Sequence, residues 1–169
     1  MTNGDQPVND SYRESIEKLI TTPEIRETLA ELGVFIRNFR TGESYPNYIW
    51  RDLGYRDEEL SEEFWQSIIH PDDRPRAMRQ YEEVLLGKST VYRTVYRIRS
   101  ASGEWRWIVN AGRVVTWDDD GRPEFFLGAD VDITERRATE EALERAKTEA
   151  EEQAQEAETL RMAGAIVAS

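Results

Sequence analysis

Between Gly128 and Arg137 the apolar period of this chain changes from two to about three and a half, so a strand must end there and a long helix must begin. Upstream, Phe125, Leu127, Ala129, Val131 and Ile133 alternate with Phe126, Gly128, Asp130 and Asp132, which gives a strand two different faces. Downstream, Leu143, Ala146, Ala150, Ala157 and Leu160 recur at spacings of three, four and seven, the seam of a coiled coil. Asp132 or Thr134 can cap the free amides at the helix start, and Glu135 suits its positive end. The pattern predicts a globular body joined to a helical lever.

A chain of 169 residues has room for one ordinary domain with helical extensions, and 38% hydrophobic residues suffice for its core. No apolar run reaches the roughly 20 residues that cross a bilayer, and no basic-then-apolar leader opens the chain. The expectation is a cytoplasmic protein without membrane contact. Zero cysteines exclude disulfides, thiolate metal sites and cysteine-linked chromophores, and a single histidine excludes a multi-histidine metal centre. A formal charge of −12 argues against nucleic acid, whose phosphates need a basic face.

Residues 1–10 are polar with Gly and Pro and read as a disordered lead. Ser11 and Glu14 form a capping box ahead of Ile16, Leu19 and Ile20; Thr22-Pro23 then opens a second short helix with Ile25, Leu29 and Leu32 as its stripe and Gly33 as its stop. Neither helix can bury its apolar side alone, so both must pack on the body or on a partner. Val34–Phe39 reads as a strand and Ser44-Tyr45 as a short second one. Three small helices follow. The first carries Ile49 and Leu53 and closes at Gly54; the second is capped by Ser61 and carries Phe64, Trp65, Ile68 and Ile69; the third starts at Asp72 or Asp73 and carries Met78, Tyr81 and Leu85 to Gly87. Strands over Thr90–Ser100, Glu104–Trp117 and Pro123–Ile133, joined by glycine turns at Ser102-Gly103 and Asp119-Asp120-Gly121, make an antiparallel meander.

Across roughly Leu32 to Arg137 the chain resembles the PAS domain family of bacterial and archaeal signalling proteins. The motifs come in the family's order: Trp50-x-x-Leu53-Gly54-Tyr55, Ile69-His70-Pro71-Asp72-Asp73-Arg74, Tyr96-Arg97-Ile98-Arg99, Gly103-Glu104-Trp105-Arg106-Trp107-Ile108, Asp120-Gly121 and Gly128-x-x-x-Asp132-Ile133-Thr134-Glu135-Arg136. The resemblance implies an α+β fold, a five-stranded antiparallel sheet covered on one face by short helices, with N-terminal flanking helices and a C-terminal coiled-coil helix. It also implies a sensor that controls an attached output domain. The organisation expected is a lead over 1–10, flanking helices over 11–32, the PAS body over 33–133, a signalling helix over 134–162 and the start of a further domain, similar to the lead-in of a GAF domain, over 163–169.

His70 invites assignment as a haem ligand or general base, but Pro71-Asp72-Asp73 place it at a loop-to-helix start, where the family uses this motif for shape. No Ser/His/Asp set or paired carboxylates can be assembled, and no catalytic residue is expected. In the family's flavin light sensors a glutamine follows the last-strand glycine by two residues and a cysteine bonds the flavin. Here that position is Asp130 and there is no cysteine, so such photochemistry is excluded and no cofactor is predicted. The same carry-over directs Ile98, Ile108, Asn110, Phe126 and Asp130 toward the pocket under the helices, where the carboxylate needs a partner, either a polar ligand or Arg37 on the adjacent first strand. Both faces of the strands over 90–100 and 104–117 carry apolar mass, so the outer face should receive the N-terminal helices or another subunit. Asp132, Ile133 and Thr134 should transfer the signal, with Arg97, Arg99 or Arg106 holding the aspartate. The reading is a homodimeric regulatory sensor acting on a cyclase, kinase or phosphatase domain in the same chain. Its rivals are a small-molecule or haem sensor and a ligand-free dimerisation module.

Overall fold

A computed structural model describes residues 10–167, with side chains from Arg13 onward; the lead over 1–9, the Ser11 side chain of the expected capping box and residues 168–169 lie outside the described residues. The elements run α1 (Asp10–Thr21), α2 (Pro23–Glu31), β1 (Val34–Asn38), β2 (Ser44–Tyr45), α3 (Ile49–Asp52), a 3-10 turn (Asp57–Glu59), α4 (Glu62–Ile68), α5 (Arg74–Leu85), β3 (Tyr92–Arg99), β4 (Trp105–Trp117), β5 (Pro123–Asp132) and α6 (Thr134–Val167). The five strands form one antiparallel sheet in the order β2-β1-β5-β4-β3, the α+β architecture expected. The body up to Asp132 and the helical segment from Ile133 are separate compact units.

Alternation in the strands decides which side faces the helices. Tyr92, Thr94, Tyr96 and Ile98 are buried while Arg93 and Arg99 are exposed. Ile49 and Leu53 from the first small helix, Ile68 from α4 and Ala77 from α5 pack on Tyr96, Ile98 and Ile108. A second cluster joins Tyr81 and Val84 of α5 to Tyr92 and Phe126. Each large side chain fully buried in this way stabilises the fold by about 1.5–3 kcal/mol. Gly128 keeps its place by contact, because a methyl group there would clash with the Phe35 ring.

The N-terminal helices cover one end of the outer face. β4 carries an extra residue between Val114, opposite Phe126, and Thr116, opposite Phe125. Val115 is thereby directed into a cluster with Ile20, Ile36 and the fully buried Phe125, and Leu29 of α2 joins it. The N-terminal helices thus cover β1 and the start of β5 on this face, while Leu127 and Val131, farther along β5, remain 39% and 53% exposed. Arg13 donates to the buried Glu124 at 2.8 Å and Arg40 to Glu17 at 2.9 Å, fastening α1.

Local signals acted as read at some helix starts and not at others. Ser61 Oγ accepts from the Phe64 amide at 3.1 Å and caps α4. Thr22 makes no cap bond, because its hydroxyl donates back to the Lys18 carbonyl of α1 at 2.8 Å. Asp73 precedes α5 but does not cap it, because its carboxylate accepts from the Arg97 amide and guanidinium at 3.0 and 2.9 Å. The strand expected from Thr90 begins at Tyr92, since the Lys88 and Ser89 amides are still tied to the Glu83 carbonyl of α5. Residues 163–167, read as the start of a further domain, continue α6.

The free edge of β3 is capped along much of its length. The Val95 carbonyl accepts from Arg76, the Arg97 carbonyl from the His70 amide and the Arg99 carbonyl from the Tyr55 hydroxyl, while the Arg97 amide goes to Asp73. Much of the Ile69–Arg74 motif serves this edge.

Candidate functional site

Asp130 lies at the wall of a partly open cavity of about 90 Å³ lined by residues of all five strands and of the small helices. The carboxylate is 5% exposed. One oxygen accepts from Asn47 Nδ2 at 2.8 Å and the other from Asn110 Nδ2, the side chain directly opposite it in the β4–β5 ladder. Asn47 is clamped in turn: Nδ2 also donates to the Gly33 carbonyl at 2.8 Å, and Oδ1 accepts from the Ile49 amide at the start of α3. Burial pushes the Asp130 carboxyl up to about 6, and the two amides pull it back only in part.

Arg37 is not its partner. Arg37 stands opposite Phe126, four residues along β5 from Asp130 and about 13 Å away at strand spacing. Its guanidinium turns to Glu62 at 2.7 Å and leaves Nε buried without a hydrogen bond. The Tyr92 hydroxyl and Asn110 Oδ1 are likewise buried without one, although the Tyr96 hydroxyl lies near the same amide. Burial raises the Tyr81, Tyr92 and Tyr96 hydroxyls well above the ordinary tyrosine range, so they stay neutral.

Of the residues expected at the pocket, Asn110, Phe126 and Asp130 line the cavity, whereas Ile98 and Ile108 do not. Both isoleucines point to the helix-covered side, but α3, α4 and α5 have filled the space above them. Asn47 and Glu62 escaped the sequence reading; Pro46-Asn47 ahead of a helical run reads as a cap, a duty Asn47 Oδ1 also performs. His70 is not in the lining: its ring meets Trp105 edge-on at 4.6 Å, and Nδ1 accepts from the Asp72 amide. A space of about 90 Å³ suits a small molecule of a few heavy atoms; drug-sized ligands occupy roughly 300–1,000 Å³, so haem or flavin would need a much larger site. Among the described residues no group of three or more His, Asp or Glu side chains is placed to hold a metal ion, and no helix is long and apolar enough to cross a membrane.

One rung along the same ladder lies the end of the body. Asp130 faces Asn110 and Asp132 faces Ile108, so the cavity wall and the last strand residue are neighbours on one face, about 7 Å apart. Asp132 is held by Arg106 at 2.8 Å. Of the other arginines expected to compete for it, Arg97 is engaged by Asp73 and lies over the Trp107 ring. Ile133 is the single residue between strand and helix, and Thr134 is the first residue of α6.

Residues 47–129 match a family model described as the PAS fold. A solved structure of a sensory box histidine kinase/response regulator from Burkholderia thailandensis is 32% identical, with 70% of this chain and 89% of that one covered and a TM-score of 0.54. The N-terminal domain of a diguanylate cyclase with PAS/PAC sensor from Marinobacter aquaeolei shares the fold at 24% identity, with 62% and 96% covered and a TM-score of 0.53. The probable diguanylate cyclase DgcE of Escherichia coli is 30% identical over 89 residues, which are 53% of this chain and only 8% of the length of that relative.

Proposed function

The chain belongs to the PAS family, and from that premise we propose that it is a regulatory sensor module that passes a conformational bias through α6 to a signalling output domain. A cyclase or a kinase is the output favoured by the names of its relatives. The observation that carries the proposal is the Arg106–Asp132 pair, one rung from the Asp130–Asn110 contact and immediately ahead of the helix. A ligand that moved Asn110 or Asp130 would pull on the same two strands that hold Asp132. The pair is partly solvated, and such pairs contribute at most about 1 kcal/mol to folding. Losing it should leave the body folded while loosening the junction.

Two copies acting as a homodimer through α6 suit this mechanism, since rotation of paired helices is a ready output. The test is a chimera joining this chain, through α6, to the catalytic domain of a diguanylate cyclase. Asp132→Ala should change basal cyclase activity with the circular dichroism of the body intact. Inserting one residue after Thr134 should do so too, because each helical residue turns the helix by about 100°. If both variants leave activity as it was, α6 is a passive tether and the chain is a dimerisation module. The small-molecule reading is favoured over that alternative by the buried carboxylate at the cavity, which has no cation in ion-pair reach among the described residues.

A further inference from the structure

Asp130 is a buried carboxylate with no cation in ion-pair reach among the described residues. Its hydrogen-bond partners are two neutral amides, and each oxygen keeps a further lone pair. A carboxylate removed from water without a counter-charge is costly to the fold. Yet the cation lining the same cavity, Arg37, is given to Glu62. The walls are aromatic. Phe35 stacks on Phe126 at 5.9 Å, and Tyr81 meets Phe126, Tyr92 and Trp65 edge-on at 5.6, 5.7 and 5.4 Å. These rings give a short alkyl chain an apolar wall to lie against. Asn110 Oδ1, close to the Tyr96 hydroxyl, has an acceptor site toward the cavity; the Tyr92 hydroxyl can accept or donate, and Arg37 Nε is a further donor without a partner. The uncompensated charge of Asp130, with a free lone pair on each oxygen, calls for a positively charged donor.

Resting on the sensor reading above, we infer that the cavity takes a small primary or secondary alkylammonium, its N–H groups on Asp130 and Asn110 and its short chain against the rings. An anion would meet Asp130 and Glu62. A quaternary ammonium has no N–H for the free lone pairs of Asp130, and an alcohol would leave the carboxylate without a counter-charge.

The test is calorimetry and tryptophan fluorescence on the 169-residue chain with n-butylammonium, 1-butanol, butyrate and tetramethylammonium as probes, Trp50 and Trp65 lying in the cavity wall. Butylammonium should bind saturably and about tenfold or more tighter than each of the other three. Asp130→Asn should weaken it by about tenfold or more with the circular dichroism unchanged. The comparison among probes on the unaltered chain stands whether or not the variant folds. Equal binding of the alcohol, the anion or the quaternary ion overturns the inference, as does the absence of saturation below roughly 10 mM or undiminished binding by a folded Asp130→Asn. Should butylammonium fail while Asp132→Ala still alters the chimera, the ligand class is wrong and the regulatory reading stands.

Discussion

Asp130 binds its proton more tightly in the fold, where the carboxyl is raised to about 6, than in the unfolded chain, where aspartate titrates near 3.9. The folded state therefore holds more protons between those values, and this residue makes stability fall as pH rises from about 4 to 6, by roughly 3 kcal/mol in all. Asparagine at 130 would carry no charge. Asn110 could turn its unmet Oδ1 toward the new amide while Asn47 kept its bond to the remaining oxygen. In urea unfolding, Asp130→Asn should match or exceed the natural chain at pH 7, with the difference shrinking toward pH 4. A loss of about 3–5 kcal/mol at pH 7, the cost of orphaning a buried cation, would instead restore Arg37 as partner. The inward parity of Asp130 was legible because alternation in β5 is local. Its true partner was not, because Asn47 lies 83 residues away and reaches it only through the placement of β1 and α3.

The N-terminal helices are held by one apolar cluster and a few ion pairs, so their attachment can be tested with a single side chain. Ile20 is 4% exposed against Ile36 and Phe125. Ile20→Ala should lower stability by about 2 kcal/mol, the low end for such truncations, because α1 can shift to close the gap. Amide exchange should then quicken in α1 and α2 while β4 keeps its protection; equal loss in β4 would make these helices part of the central core. At this scale the three-stranded meander and the small helices could be read from glycine turns, caps and periodicity. Two features could not. The fate of Asp73 depended on whether the helix start or the β3 edge claimed its carboxylate, and Arg97 offers it bonds from both amide and guanidinium. Ile98 and Ile108 were correctly turned inward, but which inward residues stay open to a cavity depends on where the helices come to rest.

For the whole molecule, charge and seam oppose each other along α6. Residues 134–160 hold nine Glu against four Arg or Lys, and the seam between Leu143 and Leu160 is mostly alanine. Leu143 and Leu160 are 70% and 66% exposed in the single chain. Two such helices would attract weakly and repel by like charge, so the proposed homodimer should tighten as salt rises from 0.05 to about 0.5 M, where screening shortens to a few ångströms. Light scattering at tens of micromolar reads this directly, and a monomer at every salt concentration would refute pairing of these 169 residues. The capped edge of β3 narrows how copies can meet. Edge strands commonly recruit a neighbour by backbone hydrogen bonding, the route to donor-strand exchange and fibrils. Here the carbonyls of Val95, Arg97 and Arg99 are already spoken for by Arg76, His70 and Tyr55, and the opposite edge, β2, is two residues long. Both margins are thus poor templates for strand addition, which favours assembly through side-chain surfaces, where contacts can form and release without rethreading the sheet.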